Sequence, residues 1–145
     1  MDIYNWLALF CYALAFLTTV VFSLVYLSRS DFLPYHGIAT ARTWEEIDPS
    51  MQLLIMALIR VVGWGWLAVS IAGFMLLYLL FSRTADYSQL IMFQIFCLIA
   101  VTPSVTIAIY VRRRTNAPTP IRSGVLVVLL TLSGFTFALL SAHNA

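Results

Sequence analysis

Residues 51–81 read MQLLIMALIRVVGWGWLAVSIAGFMLLYLLF and form the longest apolar stretch of this 145-residue chain. About 20 apolar helical residues cross a hydrocarbon core of ~30 Å, so this stretch is more than long enough to span a membrane. One permanent charge, Arg60, lies within it. Because a charge inside a bilayer is energetically costly, Arg60 is the first candidate for a functional residue.

Three further apolar runs accompany this stretch, at residues 6–27, 90–111 and 124–142. Hydrophobic residues make up 62% of the chain and charged residues only 10%, whereas a soluble domain carries about 25% charged residues. The sequence therefore predicts an all-α integral membrane protein. We expect one domain, residues 1–145, with four transmembrane helices at about residues 6–28, 50–82, 89–111 and 123–142.

Small residues at helical spacing predict close helix packing, because small side chains let two backbones approach each other in lipid. Joined by short loops, such helices favour an antiparallel bundle. The same stripes are also compatible with docking on other chains. The stripes are Ala15, Thr19 and Ser23; Gly65, Ala68 and Ala72; Ala100, Ser104 and Ala108; and Thr131, Gly134, Ala138 and Ala142.

The connection before the second helix contains two helix-start signals. Thr43 and Glu46 have the spacing of a capping box, which predicts a short helical turn from Trp44. Asp48 followed by Pro49 is typical of an N-cap and the first helical position. We expect a short interfacial helical turn that leads into the second membrane helix.

Earlier in this connection, proline and glycine predict an extended segment and a turn. Pro34 disfavours a helical conformation of Leu33. Gly37 permits a turn directly after His36.

The chain has eight arginines and no lysine, and the distribution of the arginines predicts the orientation in the membrane. The connections at residues 29–50 and 112–122 hold six arginines, whereas the opposite side holds only Arg83. The positive-inside rule then places both connections in the cytoplasm and both termini outside. The N-terminal segment carries Asp2 and no basic residue, so we expect no cleaved signal peptide. A basic set made only of arginine is typical of GC-rich bacterial genomes, so we expect a bacterial cytoplasmic (inner) membrane.

Two interpretations of Arg60 remain open. In the first, its side chain extends from near the helix end to lipid phosphates. In the second, it lies inside the bilayer beside the kink that Pro103 predicts in the third helix. A polar pocket there would suit a lipid phosphate, a fatty-acid carboxylate or a quinone, because the guanidinium donates in a planar fork. The binding candidates are Arg60, Trp64, Thr102, Ser104 and Thr106.

Two polar clusters lie outside the helices. The first, in the loop at residues 31–48, contains His36, Trp44, Glu45 and Glu46 and offers weak metal binding or acid–base chemistry. The second, Arg112, Arg113 and Arg114, is expected to contact anionic lipid and is too small for nucleic acid binding.

Neither the histidines nor the cysteines predict a cofactor. His36 and His143 fall on opposite membrane faces, which argues against a haem or a histidine-based metal site. Cys11 and Cys97 lie within helices, where a thiol usually acts as a small hydrophobe.

Three functions are compatible with this sequence. The few catalytic groups and short loops favour a non-catalytic accessory or assembly subunit, which stabilises partner membrane subunits, a second copy or bound lipid. The alternative is a lipid-, quinone- or small-molecule-binding protein or carrier built around Arg60 and Pro103. The third is a membrane enzyme acting from the 31–48 loop.

Overall fold

A computed structural model of the chain describes residues 2–82 and 86–144. Over these residues it contains five α-helices and one 3-10 turn. They are α1 (Ile3–Leu27), α2 (Pro34–Thr40), the turn Trp44–Glu46, α3 (Pro49–Ser82), α4 (Tyr87–Thr115) and α5 (Ile121–Asn144). The helices α1, α3, α4 and α5 are long and apolar enough to cross a membrane, as the sequence predicts.

Capping explains two helix ends that lie beyond the predicted bounds. Asp2 caps α1, because its carboxylate accepts a hydrogen bond of 2.9 Å from the backbone N–H of Asn5. The third long helix, α4, continues to Thr115 and is capped by Asn116, which adopts a left-handed conformation. The predicted connection at 112–122 is therefore partly wrong: its first arginines lie in the last turn of α4, where cations favour the helix dipole.

The segment after α1 folds into a helix that the sequence analysis did not anticipate. Leu33 is extended, as predicted, and Pro34 occupies the first position of α2, where its missing N–H costs nothing. The predicted turn at Gly37 is wrong, because Gly37 lies inside α2. The chain instead reverses at Ala41, which has a left-handed conformation with φ of 52°.

The 3-10 turn forms where the capping box predicts it. The Glu46 carboxylate accepts a hydrogen bond of 2.9 Å from the backbone N–H of Thr43. Gln52 then ties the turn to the start of α3, since its side-chain amide donates to the carbonyl of Trp44 over 2.8 Å. The turn is therefore capped internally and tied to the start of α3.

Helix α1 is the centre of the assembly. It packs along both α3 and α5, and α4 packs mainly on α5. By contrast, α3 and α4 share few contacts. The four long helices are thus closely packed except between α3 and α4, where a gap remains.

Hydroxyl groups and a glycine bring α1 and α3 together. The Ser23 hydroxyl donates to the Gly63 carbonyl over 2.7 Å, and the hydroxyls of Thr19 and Ser70 lie 2.6 Å apart. Further along, the Phe16 ring lies directly over Gly73. Along this interface the contacting residues of α1 run from Ser23 down to Phe16, while those of α3 run from Gly63 up to Gly73.

On its other side, α1 meets α5 through an aromatic ring and a glycine. A Cβ atom at Gly134 would lie 2.9 Å from the ring of Tyr12, so a larger residue would not fit there without movement. At the chain ends, the Ser141 hydroxyl donates to the Asp2 carboxylate over 2.9 Å. The beginning of α1 and the end of α5 therefore lie side by side.

A glycine pair on α3 tests this packing. We expect Gly73→Ala to destabilise the protein by about 1–3 kcal/mol, because the added methyl group overlaps the buried Phe16 ring. Gly65→Ala is the matched control: its Cβ would meet nothing within 4 Å, so we expect equal or slightly higher stability. Unfolding in mild detergent measures both. Equal effects of the two substitutions would contradict a close contact between α1 and α3.

The core also contains one polar pair, Tyr12 and Gln94. The Tyr12 hydroxyl donates to the Gln94 side-chain oxygen over 2.9 Å, and both residues are buried. Within the described residues, the Gln94 amide nitrogen has no hydrogen-bond partner. Nothing in the sequence analysis singled out this pair.

We expect Tyr12→Phe to destabilise the protein by about 1 kcal/mol, because it leaves the Gln94 side-chain oxygen buried without its hydrogen-bond donor. The double variant Tyr12→Phe with Gln94→Leu should recover most of this loss, since neither polar group then remains. Tyr78→Phe, at a tyrosine that is 73% exposed, is the control. Strictly additive effects in the double-mutant cycle would show that the two side chains do not interact.

Candidate functional site

The gap between α3 and α4 leads into two adjoining cavities of about 300 and 70 Å³. Both cavities are lined by Phe22, Trp66, Ser104, Ala108 and Pro120. We call the combined space the aromatic cleft. Its walls come from α1, α3, α4 and α5, with α2 along one side.

Helical spacing explains why these residues share a space. On α4, Ser104, Ala108 and Val111 recur every three or four residues and therefore lie on one face. The side towards α5 is closed, because a Cβ atom at Gly124 would overlap Val105 of α4. Since α4 approaches α5 so closely there, the opening lies on the side of α3.

Three rings form the aromatic wall of the cleft. Phe22 and Tyr26 of α1 have ring centroids 4.5 Å apart, and Phe22 meets Trp66 of α3 edge to face at 5.9 Å. Edge-to-face and offset rings at such separations attract each other. The wall is therefore a preformed aromatic surface.

A polar cluster from α2 borders the same space. The hydroxyls of Tyr35 and Tyr26 are hydrogen-bonded to each other, and the His36 ring lies 4.3 Å from the Tyr35 ring. Burial raises the pKa of Tyr35 and lowers the pKa of His36 below its ordinary 6.5. Both side chains are therefore neutral at neutral pH.

Most hydroxyl groups around the cleft already donate within the chain. They donate as follows: Thr18 to Leu14, Ser123 to Pro120 and Thr119 to Ala108, each to a backbone carbonyl. Ser104 differs: it lines the cleft as an exposed residue, and its hydroxyl has no hydrogen-bond partner within the described residues. It is a free donor on the α4 wall.

Of the five binding candidates from the sequence, only Ser104 lines the cleft. Trp64 is 62% exposed on a different face of α3 from Trp66. Thr102 and Thr106 are exposed, and Thr106 donates to the Thr102 carbonyl over 2.9 Å. Arg60 is exposed as well. The structure therefore does not gather these residues around Pro103, although α4 runs through that proline as a helix.

The position of Arg60 follows from its neighbours on α3. Gly63 lies level with Ser23, and α1 ends only four residues later, at Leu27. Ile59 packs in a buried cluster with Tyr26 and with Leu33, which follows α1. Arg60 therefore lies level with the end of α1, on a face turned away from that cluster.

The loop candidates have different surroundings, although the His36 and Trp44 rings both pack on Phe32. His36 lines the cleft, whereas the Trp44 ring packs on Phe32 at 4.9 Å. Glu45 is exposed, and Glu46 caps the 3-10 turn. Over residues 2–82 and 86–144, no three His, Cys, Asp or Glu side chains are grouped to hold a metal ion.

The basic cluster lies at the end of α4. Arg112, Arg113 and Arg114 are exposed, and the Arg114 guanidinium lies 5.6 Å from the centroid of the Tyr110 ring. None of the three lines the cleft.

Sequence reasoning missed Phe22, Tyr26 and Tyr35 as lining residues, and it chose Trp64 where Trp66 lines the cleft. The four-residue interval between Phe22 and Tyr26 was a usable signal, because such residues share a helix face. The choice of Trp66 was not available, since it depends on which face of α3 meets α1.

Comparison of the chain with protein family models, with curated proteins and with solved structures finds no match.

The lowered pKa of His36 predicts a pH dependence of stability. In the unfolded chain, the imidazole protonates as the pH falls through about 6.5, whereas the folded protein resists protonation. Protons therefore bind the unfolded state preferentially, and the free energy of unfolding should decrease below this pH. Denaturant unfolding at pH 7.5 and 5.5 measures the change. The same change in His36→Gln would show that another group causes it.

Proposed function

We propose that this protein is a membrane-embedded, non-catalytic binding protein or carrier for a small amphiphile. The observation that carries the proposal is the aromatic cleft, which combines apolar and aromatic walls with a few hydrogen-bonding groups. Small-molecule sites in proteins have this composition and volumes of about 300–1,000 Å³. The gap between α3 and α4 gives such a ligand a lateral entrance from the lipid.

The proposed setting is an antiparallel four-helix bundle in a bacterial cytoplasmic membrane, formed by one domain. The falling and rising residue numbers in the α1–α3 contacts support the antiparallel arrangement. Six arginines at the end of the bundle that holds the aromatic cleft support a cytoplasmic location of that end and outside termini. The 3-10 turn would then lie at the interface.

In this setting, the arginines mark the depth of the bundle. Arg60, level with the end of α1, would extend its side chain to lipid phosphates instead of binding the ligand. Arg112, Arg113 and Arg114 would contact anionic headgroups from the last turn of α4. These roles leave the cleft without a charged residue.

A second candidate function is an accessory subunit that docks on other membrane chains. The observation that favours it is the face of α3 around Gly65, where an added Cβ would meet nothing within 4 Å. Ala68, one turn further along, is exposed as well. A small-residue face of this kind lets another helix approach closely.

The third function, an enzyme acting from the 31–48 loop, has less support. His36 faces the cleft, but the exposed Glu45 and the capping Glu46 do not line it with His36. An acid–base reaction there would have to rely on His36 with neutral hydroxyl groups.

Two substitutions separate ligand binding from subunit docking. We expect Ala108→Phe to release the bound amphiphile, because the new ring fills the space between the walls. Gly65→Leu should keep the amphiphile, since its side chain extends away from the chain's own atoms. Native mass spectrometry of each protein, extracted gently from its own membrane, reports bound small molecules and bound subunits together.

The outcomes distinguish the two functions. Retention of the same stoichiometric small molecule by Ala108→Phe would contradict binding in the cleft. Loss of a stoichiometric protein subunit from Gly65→Leu alone would show that docking on α3 is the function. Thermal unfolding confirms that each variant is folded.

A further inference from the structure

Building on the proposed function, we infer that the cleft binds the head of a quinone-class ligand: a neutral, planar ring that carries carbonyl oxygens. The inference joins three properties of the cleft: its charge, its free donors and its shape.

The charge of the lining excludes an anionic head. Among the described residues that line the cleft, none carries a permanent charge. His36 is the one residue of the described lining whose ordinary pKa lies near neutral pH, and burial lowers that pKa, so the ring stays neutral. A carboxylate or phosphate would therefore lose its hydration without gaining a counter-charge, which is costly. A neutral ligand avoids this cost.

The free donors suit carbonyl oxygens. Ser104 offers an unused hydroxyl from α4. In the Tyr26–Tyr35 pair, one hydroxyl donates to the other, so the accepting phenol still has its own proton to donate. Neutral His36 adds one ring N–H on the α2 side. Donors therefore come from two different walls, which matches a ring with acceptors on both sides.

The shape and volume fit a single ring. Phe22 and Trp66 present aromatic surfaces on which a planar ring can pack. A space of about 300 Å³ is at the lower end for small-molecule sites and excludes a whole phospholipid. Any long tail must lie elsewhere.

A separate groove on α3 and α4 provides a place for an apolar tail. Further along these two helices, an apolar groove of about 510 Å³ is lined by Leu76, Leu79, Leu80, Gln89, Met92, Phe93 and Phe96. Trp66 and Leu76 are ten residues apart, or about 15 Å along α3. A tail leaving the cleft towards the groove would stay in apolar surroundings.

Tryptophan fluorescence tests the inference in the full chain, reconstituted in phosphatidylcholine nanodiscs. The probe is a benzoquinone with one isoprenoid unit, because quinones quench nearby indole rings. We expect saturable quenching in the wild type and in Trp64→Phe, and loss of the saturable component in Trp66→Phe. Trp64 is the matched control, since it is two residues away and exposed outside the cleft. Equal saturable quenching in Trp66→Phe and the wild type would overturn the inference.

Affinity measured by equilibrium dialysis supplies a second readout that does not depend on the reporter. We expect Ser104→Ala to weaken quinone binding about three- to tenfold, the effect of one hydrogen bond. Ala108→Phe should abolish binding. Unchanged affinity in both variants would overturn the inference.

Competition with a fatty-acid carboxylate and a prenyl alcohol of matched length separates the quinone inference from the broader proposal of amphiphile binding. Failure of both to displace the quinone supports a ring-specific site. Equal or tighter cleft binding of the carboxylate would overturn the quinone inference while leaving amphiphile binding intact. No saturable binding of any probe, with a native adduct unaffected by Ala108→Phe, would overturn both.

Discussion

The rest of the structure depends on the ability of α1 to pack closely on two sides at once. Two glycines make this possible, because Gly73 of α3 receives the Phe16 ring and Gly134 of α5 receives the Tyr12 ring. In lipid there is no hydrophobic drive for helices to associate, so this fit and the buried hydroxyl contacts have to supply the attraction. The aromatic residues of α1 thus pack between two neighbours and position α3 and α5, while α4 is placed mainly by α5.

The gap between α3 and α4 is a consequence of this arrangement. Since α3 packs mainly on α1 and α4 packs mainly on α5, the two helices share few contacts with each other. Helix α2 and the 3-10 turn close one end, where Tyr35 joins Tyr26 by a hydrogen bond. The opening is therefore bounded by groups that have their own structural contacts, and a ligand could occupy it without disturbing the packing of the bundle.

The sequence predicted the four long helices, since long apolar runs have few alternatives. It also predicted the 3-10 turn, because Thr43 and Glu46 interact locally. It failed at Gly37, since Pro34 can begin a helix as readily as it can end an extended segment. The cleft could not be predicted from the sequence, for a different reason. Whether Trp64 or Trp66 points inward depends on the rotation of α3 about its axis, which the distant contacts of Ser23 and Phe16 determine. Of the candidates chosen for their chemistry, Ser104 and His36 line the cleft, whereas Arg60 does not.

Arg60 and Ser104 differ in position: Ser104 lines the cleft and Arg60 lies outside it. Burying the Arg60 guanidinium would be costly, and the same cost favours its position at the edge of the apolar region. Arg60 is exposed level with the end of α1, and the basic turn of α4 lies beyond Val111 of the cleft wall. The described residues that line the cleft just inside that boundary are aliphatic, aromatic or neutral polar. Under the proposed function, this separation would let the arginines set the depth of the protein in the membrane while the neutral groups select the ligand.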